Sequence, residues 1–264
     1  MAAGAAITGS AKAPLVEVFD SIQGEGRHVG RPTTFVRVAT CPLRCLYCDT
    51  PNSYTAPGSV PVRLAGSELA LPNPVAVDTL AELLAAARVP RLVSLTGGEP
   101  LVFPEFASVL GRLVRRLGGE LMLETAALDP EALGRCARDI AHLSADYKLP
   151  ETLGAPVGGP PPDADGGYAE RHVRCLAIAL SAGATADCKI VLTAAVTDSA
   201  FERALVNLRP LRERLVLVLQ PVTPFGAIAT PLPPTELRRH LDAALAAGFD
   251  VRVLPQVHKT LALP

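Results

Sequence analysis

Three cysteines stand within eight residues, Cys41, Cys45 and Cys48 in the run CPLRCLYC. Their C-x3-C-x2-C spacing lets three thiolates converge on one metal centre, and soft thiolates select zinc or iron–sulfur clusters over harder cations. Zinc in a closed tetrahedral site wants a fourth ligand. His28 is the nearest upstream histidine, and no paired C-x2-C or H-x3-H follows downstream. A 4Fe–4S cluster usually takes four cysteines, so three leave one iron with an open position where a substrate can bind. Cluster, zinc site and buried structural thiols stand as alternatives, and the spacing beside the aromatic Tyr47 favours the cluster. Cys136 and Cys175 fall in helical runs and Cys188 begins a strand, which suits small buried hydrophobes. Six cysteines in 264 residues are too sparse for a secreted disulfide framework. A reducing compartment is expected.

A second chemical signal is TGGEP at 96–100. Two glycines let backbone carbonyls approach a ligand closely, and the Glu99 carboxylate can pair with an ammonium. The plain alternative is a strand-to-helix turn with proline at its exit. Arg37 carries a guanidinium fork suited to a carboxylate, against the alternative of an exposed strand charge. Thr50 in its general role is a helix cap. Gly24, Gly26 and Gly30 do not form a dinucleotide fingerprint, because the spacing is wrong and a strand follows instead of preceding. His142, His172 and His240 lack metal-ligand spacing, and no Ser-His-Asp order, Walker loop or HExxH occurs.

These residues must be positioned by a regular scaffold. Strands are expected at 35–39, 91–96, 120–125, 142–147, 188–192, 215–220 and 250–254. Helices are expected at 78–87 (capped by Asp78), 104–117, 129–139, 168–182, 198–208 and 235–247 (capped by Thr235). Alternating strands and helices imply parallel βαβ units. The fold class is α/β, either an open doubly wound sheet or a partial parallel barrel of about six strands. Strands that read as apolar almost throughout suggest two covered faces. In both arrangements functional groups gather at the carboxyl ends of the strands. The cysteines, TGGEP, Glu124-Thr125, Tyr147-Lys148, Thr193 and Gln220-Pro221 all fall there. Residues 1–13 read as a mobile tail and 14–264 as one domain, with a flexible Pro/Gly insertion at 154–167. Five prolines make 51–76 a long loop with room for an edge hairpin.

Composition narrows the classes. With 49% hydrophobic and 19% charged residues the chain can bury a large core. A net charge of −1, from 25 basic and 26 acidic residues, argues against a nucleic-acid binder. Mean hydropathy is +0.29, yet no apolar stretch approaches the roughly 20 residues of a membrane span. No secretion signal is read at the start, and a soluble, cytoplasmic protein is expected.

The C-x3-C-x2-C run followed by TGGEP resembles the radical S-adenosylmethionine enzymes. DSIQGEG at 20–26, FVR at 35–37, Cys48-Asp49-Thr50 and PQVHK at 255–259 further resemble the 7-carboxy-7-deazaguanine synthases, over about 16–264. Where some relatives carry Ser-Pro-Lys, this chain reads Asp146-Tyr147-Lys148. The resemblance implies a partial barrel, one 4Fe–4S cluster on Cys41, Cys45 and Cys48, S-adenosylmethionine, and Mg2+ at Thr50. Gly98, Glu99, Tyr147, Lys148, Gln220, Pro221, Val222 and Thr223 would line the adenosylmethionine pocket. Ile22, Gln23 and Gly24 would contact the purine-like edge of the substrate, Arg37 its carboxylate, and Thr96 its body. The Pro264 α-carboxylate would meet the donor-rich edge. The implied reaction begins when the reduced cluster gives one electron to adenosylmethionine. The 5′-deoxyadenosyl radical then abstracts hydrogen from 6-carboxy-5,6,7,8-tetrahydropterin, and ring contraction with loss of ammonia follows. The implied partners are that small molecule, a reductant protein such as flavodoxin and a second copy in a homodimer, with no nucleic acid or membrane. Two rivals remain, an activase that installs a glycyl radical on a protein and a non-catalytic zinc-binding domain.

Overall fold

Residues 11–87, 92–154 and 167–264 are described by the computed structural model. The expected mobile tail and the expected 154–167 insertion fall largely on residues 1–10 and 155–166, outside the described residues. Lys12 and Ala13, expected in the tail, form a short strand, β1 (Lys12–Ala13), and Ala13 is fully buried. After it come β2 (Leu15–Ile22), β3 (Pro32–Val38), β4 (Ser59–Leu64), β5 (Ser67–Pro72) and β6 (Val75–Ala76). β1 pairs with β6, and β4 and β5 form the edge hairpin for which the proline-rich region had room.

From there helices and strands alternate. The order is α1 (Val77–Ala86), β7 (Leu92–Gly97), α2 (Pro104–Arg116), β8 (Glu120–Thr125), α3 (Pro130–Cys136) and β9 (His142–Asp146). Then follow α4 (Tyr168–Ser181), β10 (Thr185–Leu192), α5 (Asp198–Leu208), β11 (Leu215–Pro221), α6 (Pro234–Ala246), β12 (Asp250–Val253) and α7 (Val257–Thr260). Proline at the first turn of α2, α3 and α6 sits where its missing N–H is not needed. Asp129 caps α3, accepting from the N–H groups of Glu131 and Ala132. Two expected caps are corrected. α1 is entered from Ala76 and Asp78 lies in its first turn, where its charge complements the helix dipole; α6 is entered from Pro233, so Thr235 is already inside.

One sheet has the order β12-β11-β10-β9-β8-β7-β3-β2-β4-β5. β3 and β7 to β12 are mutually parallel, while β2 runs antiparallel to β3. The arrangement is a partial parallel barrel extended at one edge by the hairpin. Alternation sorts each strand into two faces. Leu95, Leu123, Leu143, Ile190, Leu217 and Leu219 point outward into a continuous core with Phe106, Leu110, Leu133, Leu176 and Phe201 of the helices. The inner face corrects the reading of strands apolar on both sides. It carries Ser94 and Thr96 on β7, Glu124 on β8, and His142, Ser144 and Asp146 on β9. Asp187 and Lys189 on β10 and Gln220 on β11 complete it. Thr96, Glu124 and Gln220 were expected at the strand ends, whereas Ser144, Asp187 and Lys189 escape notice in sequence because apolar residues flank each of them.

Candidate active site

At the carboxyl ends of these strands a cavity of about 240 Å3 gathers residues from both ends of the chain. The loop after β3 supplies one wall with Cys41, Cys45 and Cys48, all free and partly buried. Arg44 braces this loop by donating to the carbonyls of Cys41 and Leu43 at 2.8 and 2.6 Å and lying 4.0 Å over the Tyr54 ring. The N–H of Leu46 bonds the Thr152 carbonyl at 2.9 Å, and that of Gly154 bonds Arg44 at 2.6 Å. Burial pushes the Cys41 thiol up to about 11, with Glu99 and Cys45 adding to the shift. Burial first, then Asp146 and Cys48, also raises Cys45, while Lys148 opposes the shift.

Beside the cysteines stands the end of β7. Gly98 and Glu99 donate to the carbonyls of Val38 and Thr40 at 2.9 and 2.8 Å. A Cβ on Gly98 would lie 2.1 Å from the Thr40 oxygen, and one on Gly97 would lie 2.4 Å from the Val38 oxygen. The glycines are therefore required by the approach of the neighbouring strand. The Glu99 carboxylate accepts from the N–H groups of Leu101 (3.0 Å) and Ala126 (2.9 Å) and from the Thr125 hydroxyl. Burial raises its pKa, and these donors pull the other way.

A charged network closes the opposite side. Lys148 donates to Asp146 at 2.7 Å and to the Tyr47 hydroxyl at 3.2 Å, and Lys189 pairs with Asp146 and Glu25. Gln256 bridges Glu25 (2.7 Å) and Asp49 (3.0 Å), and Lys259 meets Asp49 at 2.6 Å. Burial disfavours every charge here, yet the pairing wins: Glu25, Asp49 and Asp146 are held below the carboxylate range and Lys148 and Lys189 above the usual lysine value. The segment before α7 thus docks on the QGEG loop, with the N–H of Val257 on the Gly24 carbonyl at 3.0 Å. Sequence reasoning missed Glu25, Asp146, Lys189 and Gln256; the signal for the first and last was membership in the QGEG and PQVHK segments.

Most expected site residues line this cavity: the three cysteines, Thr50, Thr96, Gly98, Glu99 and Lys148 with Gln220, Val222, Thr223, Ile22, Gln23, Gly24, Arg37 and Pro264. Tyr147 and Pro221 are not among the lining residues. Tyr147 alternates outward between Asp146 and Lys148, and its hydroxyl accepts from Asn207 at 3.1 Å. The Gln23 amide is engaged within the protein, with Nε2 on Glu124 at 2.9 Å and Oε1 accepting from the Glu25 N–H at 3.0 Å. Glu124, expected at the carboxyl end of its strand but given no role there, accepts also from Ser94 at 2.6 Å and Thr96 at 3.1 Å. Arg37 is no solvated strand charge: it lines the cavity, bonds Glu17 at 3.0 Å and lies 5.7 Å over Phe19. Thr50 occupies the cap position of the turn Pro51–Tyr54 without a side-chain cap bond. The Pro264 carbonyl accepts from Ser21 at 2.8 Å.

Comparison with known proteins agrees with this geometry. The model of the Radical SAM superfamily matches residues 36–204. A 7-carboxy-7-deazaguanine synthase of Methanothermobacter thermautotrophicus is 34% identical over 263 residues, spanning 96% of this chain and 98% of that one. Another, of Methanopyrus kandleri, is 36% identical over 256 residues, spanning 93% and 92%. The crystal structure of QueE from Escherichia coli shares the fold with a TM-score of 0.61, at 20% identity over 94% of this chain and 95% of that one. The superfamily's 4Fe–4S cluster and S-adenosylmethionine fit the residues present. Cys41, Cys45 and Cys48 share one wall of the cavity and are the residues that would hold the cluster. Gln220 Oε1 and Asp146 Oδ1, both buried on cavity-lining residues, lack a protein hydrogen-bond partner and can receive donors from a ligand. The chain is an enzyme of the radical SAM superfamily and belongs, within it, to the 7-carboxy-7-deazaguanine synthase family.

Proposed function

We propose that this enzyme converts 6-carboxy-5,6,7,8-tetrahydropterin to 7-carboxy-7-deazaguanine with loss of ammonia. The supporting observation is that QGEG and PQVHK, 231 residues apart at Glu25 and Gln256, are bonded to each other over the cavity that the three cysteines line. A glycyl-radical activase has no need of that second pair of segments. Cys41, Cys45 and Cys48 would hold the cluster, which with adenosylmethionine would supply radical chemistry to this cavity.

The chain's own groups do the rest. Glu99 and the unpartnered Gln220 Oε1 offer acceptors to the ammonium and adenine donors of adenosylmethionine. Arg37, held by Glu17 through one nitrogen, keeps its other donors for the substrate carboxylate. Ile22 to Gly24 form the wall against the heterocycle, with Thr96 below it and Pro264 at its edge. The Thr50 hydroxyl, unused as a cap, would hold Mg2+ jointly with substrate oxygens and water, since one hydroxyl alone is a poor magnesium site. The segment around Gln256 is held against the cavity by its bonds to Glu25 and Asp49. The family resemblance further supports a flavodoxin-like reductant, a homodimer and a cytoplasmic location. Anaerobic incubation with the tetrahydropterin, adenosylmethionine and dithionite, followed by mass spectrometry, tests the reading. A deazaguanine product carries it, and an unconsumed tetrahydropterin beside active adenosylmethionine cleavage refutes it.

A further inference from the structure

Below the cavity, on the inner face of β9 and β10, four polar side chains touch in sequence. Ser144 lines the cavity, and its hydroxyl donates to Asp187 Oδ2 at 3.1 Å. Asp187 Oδ1 lies 2.6 Å from His142 Nε2, and His142 Nδ1 lies 2.6 Å from the Thr185 hydroxyl. The register explains the alignment: Thr185 is opposite His142 and Asp187 opposite Ser144. Asp187 is fully buried and His142 nearly so. Burying a carboxylate costs stability that an apolar pair of similar size would avoid. The first glycine after the QGE segment is shaped around it, since a Cβ on Gly26 would come 3.0 Å from Asp187 Oδ2.

We propose that Ser144 and Asp187, with His142 as the hydrogen-bonding partner of the carboxylate, form the proton acceptor and donor of the ring contraction. The proposal rests on the reaction assigned above. In that reaction the substrate and the products, 7-carboxy-7-deazaguanine and ammonia, differ by no net proton. A ring carbon gives up a proton as the five-membered ring becomes aromatic, and the departing amine nitrogen takes one. Ser144 Oγ accepts the carbon proton as its own proton passes to Asp187 Oδ2, and the electron pair of the broken C–H bond enters the ring. The reverse transfer through Ser144 then places a proton on the leaving nitrogen as its C–N bond breaks. Asp187 returns to the carboxylate, and the site is ready for another turnover. His142 Nε2–H bonds the carboxylate throughout, and Thr185 fixes the ring from the other side. Protein-held general acid–base groups of this kind contribute about a hundredfold or more to rate.

The charged and titratable groups facing the pair are His28, whose ring lies 4.4 Å from that of His142, and Arg31, which bonds His28 Nδ1 at 3.0 Å. Arg27 of the same turn and the Lys189–Asp146 pair one pleat above complete the set. The experiment uses cluster-loaded enzyme with the tetrahydropterin, adenosylmethionine and dithionite, and scores deazaguanine formed per 5′-deoxyadenosine. Asp187→Asn and Ser144→Ala should each lower that ratio about a hundredfold. An unchanged ratio in both variants, or a loss of product that only tracks lost cluster and folded protein, overturns the proposal. A parent enzyme that never converts the tetrahydropterin refutes instead the reaction assigned above.

Discussion

Gly98→Ala is expected to destabilise the enzyme and strip its metal site together. The new Cβ would lie 2.1 Å from the Thr40 oxygen, 2.6 Å from the Thr40 carbonyl carbon and 3.2 Å from the Cys41 nitrogen. All three are backbone atoms, so no rotamer change relieves the overlap, and the end of β7 must move off the start of the cysteine loop. That movement breaks the bonds from Gly98 to Val38 and from Glu99 to Thr40. Two such bonds are worth about 1–3 kcal/mol together. Forcing an extra methyl into packed backbone adds about 1–3 kcal/mol. The midpoint, about 4 kcal/mol, is a large part of a typical stability of 5–15 kcal/mol. Gly118→Ala is the control, because nothing lies within 4 Å of its Cβ and only its φ of +80° opposes the change. It should cost about 1–2 kcal/mol. Urea titration of the metal-free proteins measures both, and iron content after anaerobic reconstitution measures the loop. A Gly98→Ala loss no larger than that of Gly118→Ala, with full iron, would refute the argument. The glycine would then serve ligand approach alone.

Three further outcomes are expected. Alanine at Cys41, Cys45 or Cys48 should abolish bound iron, whereas alanine at the fully buried Cys136, Cys175 or Cys188 should leave it intact, as read by iron and sulfide analysis. Thr50→Ala should keep the cluster and adenosylmethionine cleavage but lose magnesium-stimulated turnover, measured by titrating Mg2+ against product. Glu25→Gln should cost about 2 kcal/mol at neutral pH, because Lys189 keeps only Asp146 as a partner. Burial opposes the charge of Glu25 but Lys189 holds its pKa below 4.5, so its contribution is complete above that pH and lost as pH falls through the lower folded value. Melting curves of parent and variant should therefore converge in acid.

Strands and helices whose identity rests on local pattern were legible. α5 (Asp198–Leu208) occupies the residues expected of it, and the carboxyl ends of the strands do gather the cysteines, Gly98 and Lys148. β2 was not read as a strand, because its LVEVFDSI carries polar residues at positions that face Arg37 and Thr34. The polar inner face stayed hidden for the same reason. Burial there depends on barrel curvature, which period-2 patterning does not report. The Glu25–Lys189 and Gln256–Asp49 pairs join residues 164 and 207 apart, a separation at which sequence spacing carries no geometry. Tyr147 shows the converse error. The resemblance carries Tyr147 into the site together with Lys148, although alternation turns it outward and admits Asp146 and Lys148 instead.

The two faces of the sheet divide stability from chemistry, and the charges on the inner face show how. Glu25, Asp49 and Asp146 are matched by Lys148, Lys189 and Lys259, so this network is close to neutral when complete. It leaves Glu99 and Glu124 as the cavity's acidic side chains, against Arg37 near the Phe19 side. A cavity of that sign favours a cation, and in adenosylmethionine the sulfonium and ammonium together outweigh the single carboxylate. Glu99 is held by three donors and so cannot swing away when burial disfavours its charge. The lysines could not take over this role without reversing the field. Removing Glu25 leaves Lys189 and Lys148 to share Asp146 and an excess of buried positive charge beside the cofactor pocket, so that substitution should weaken adenosylmethionine binding even though it touches no ligand atom.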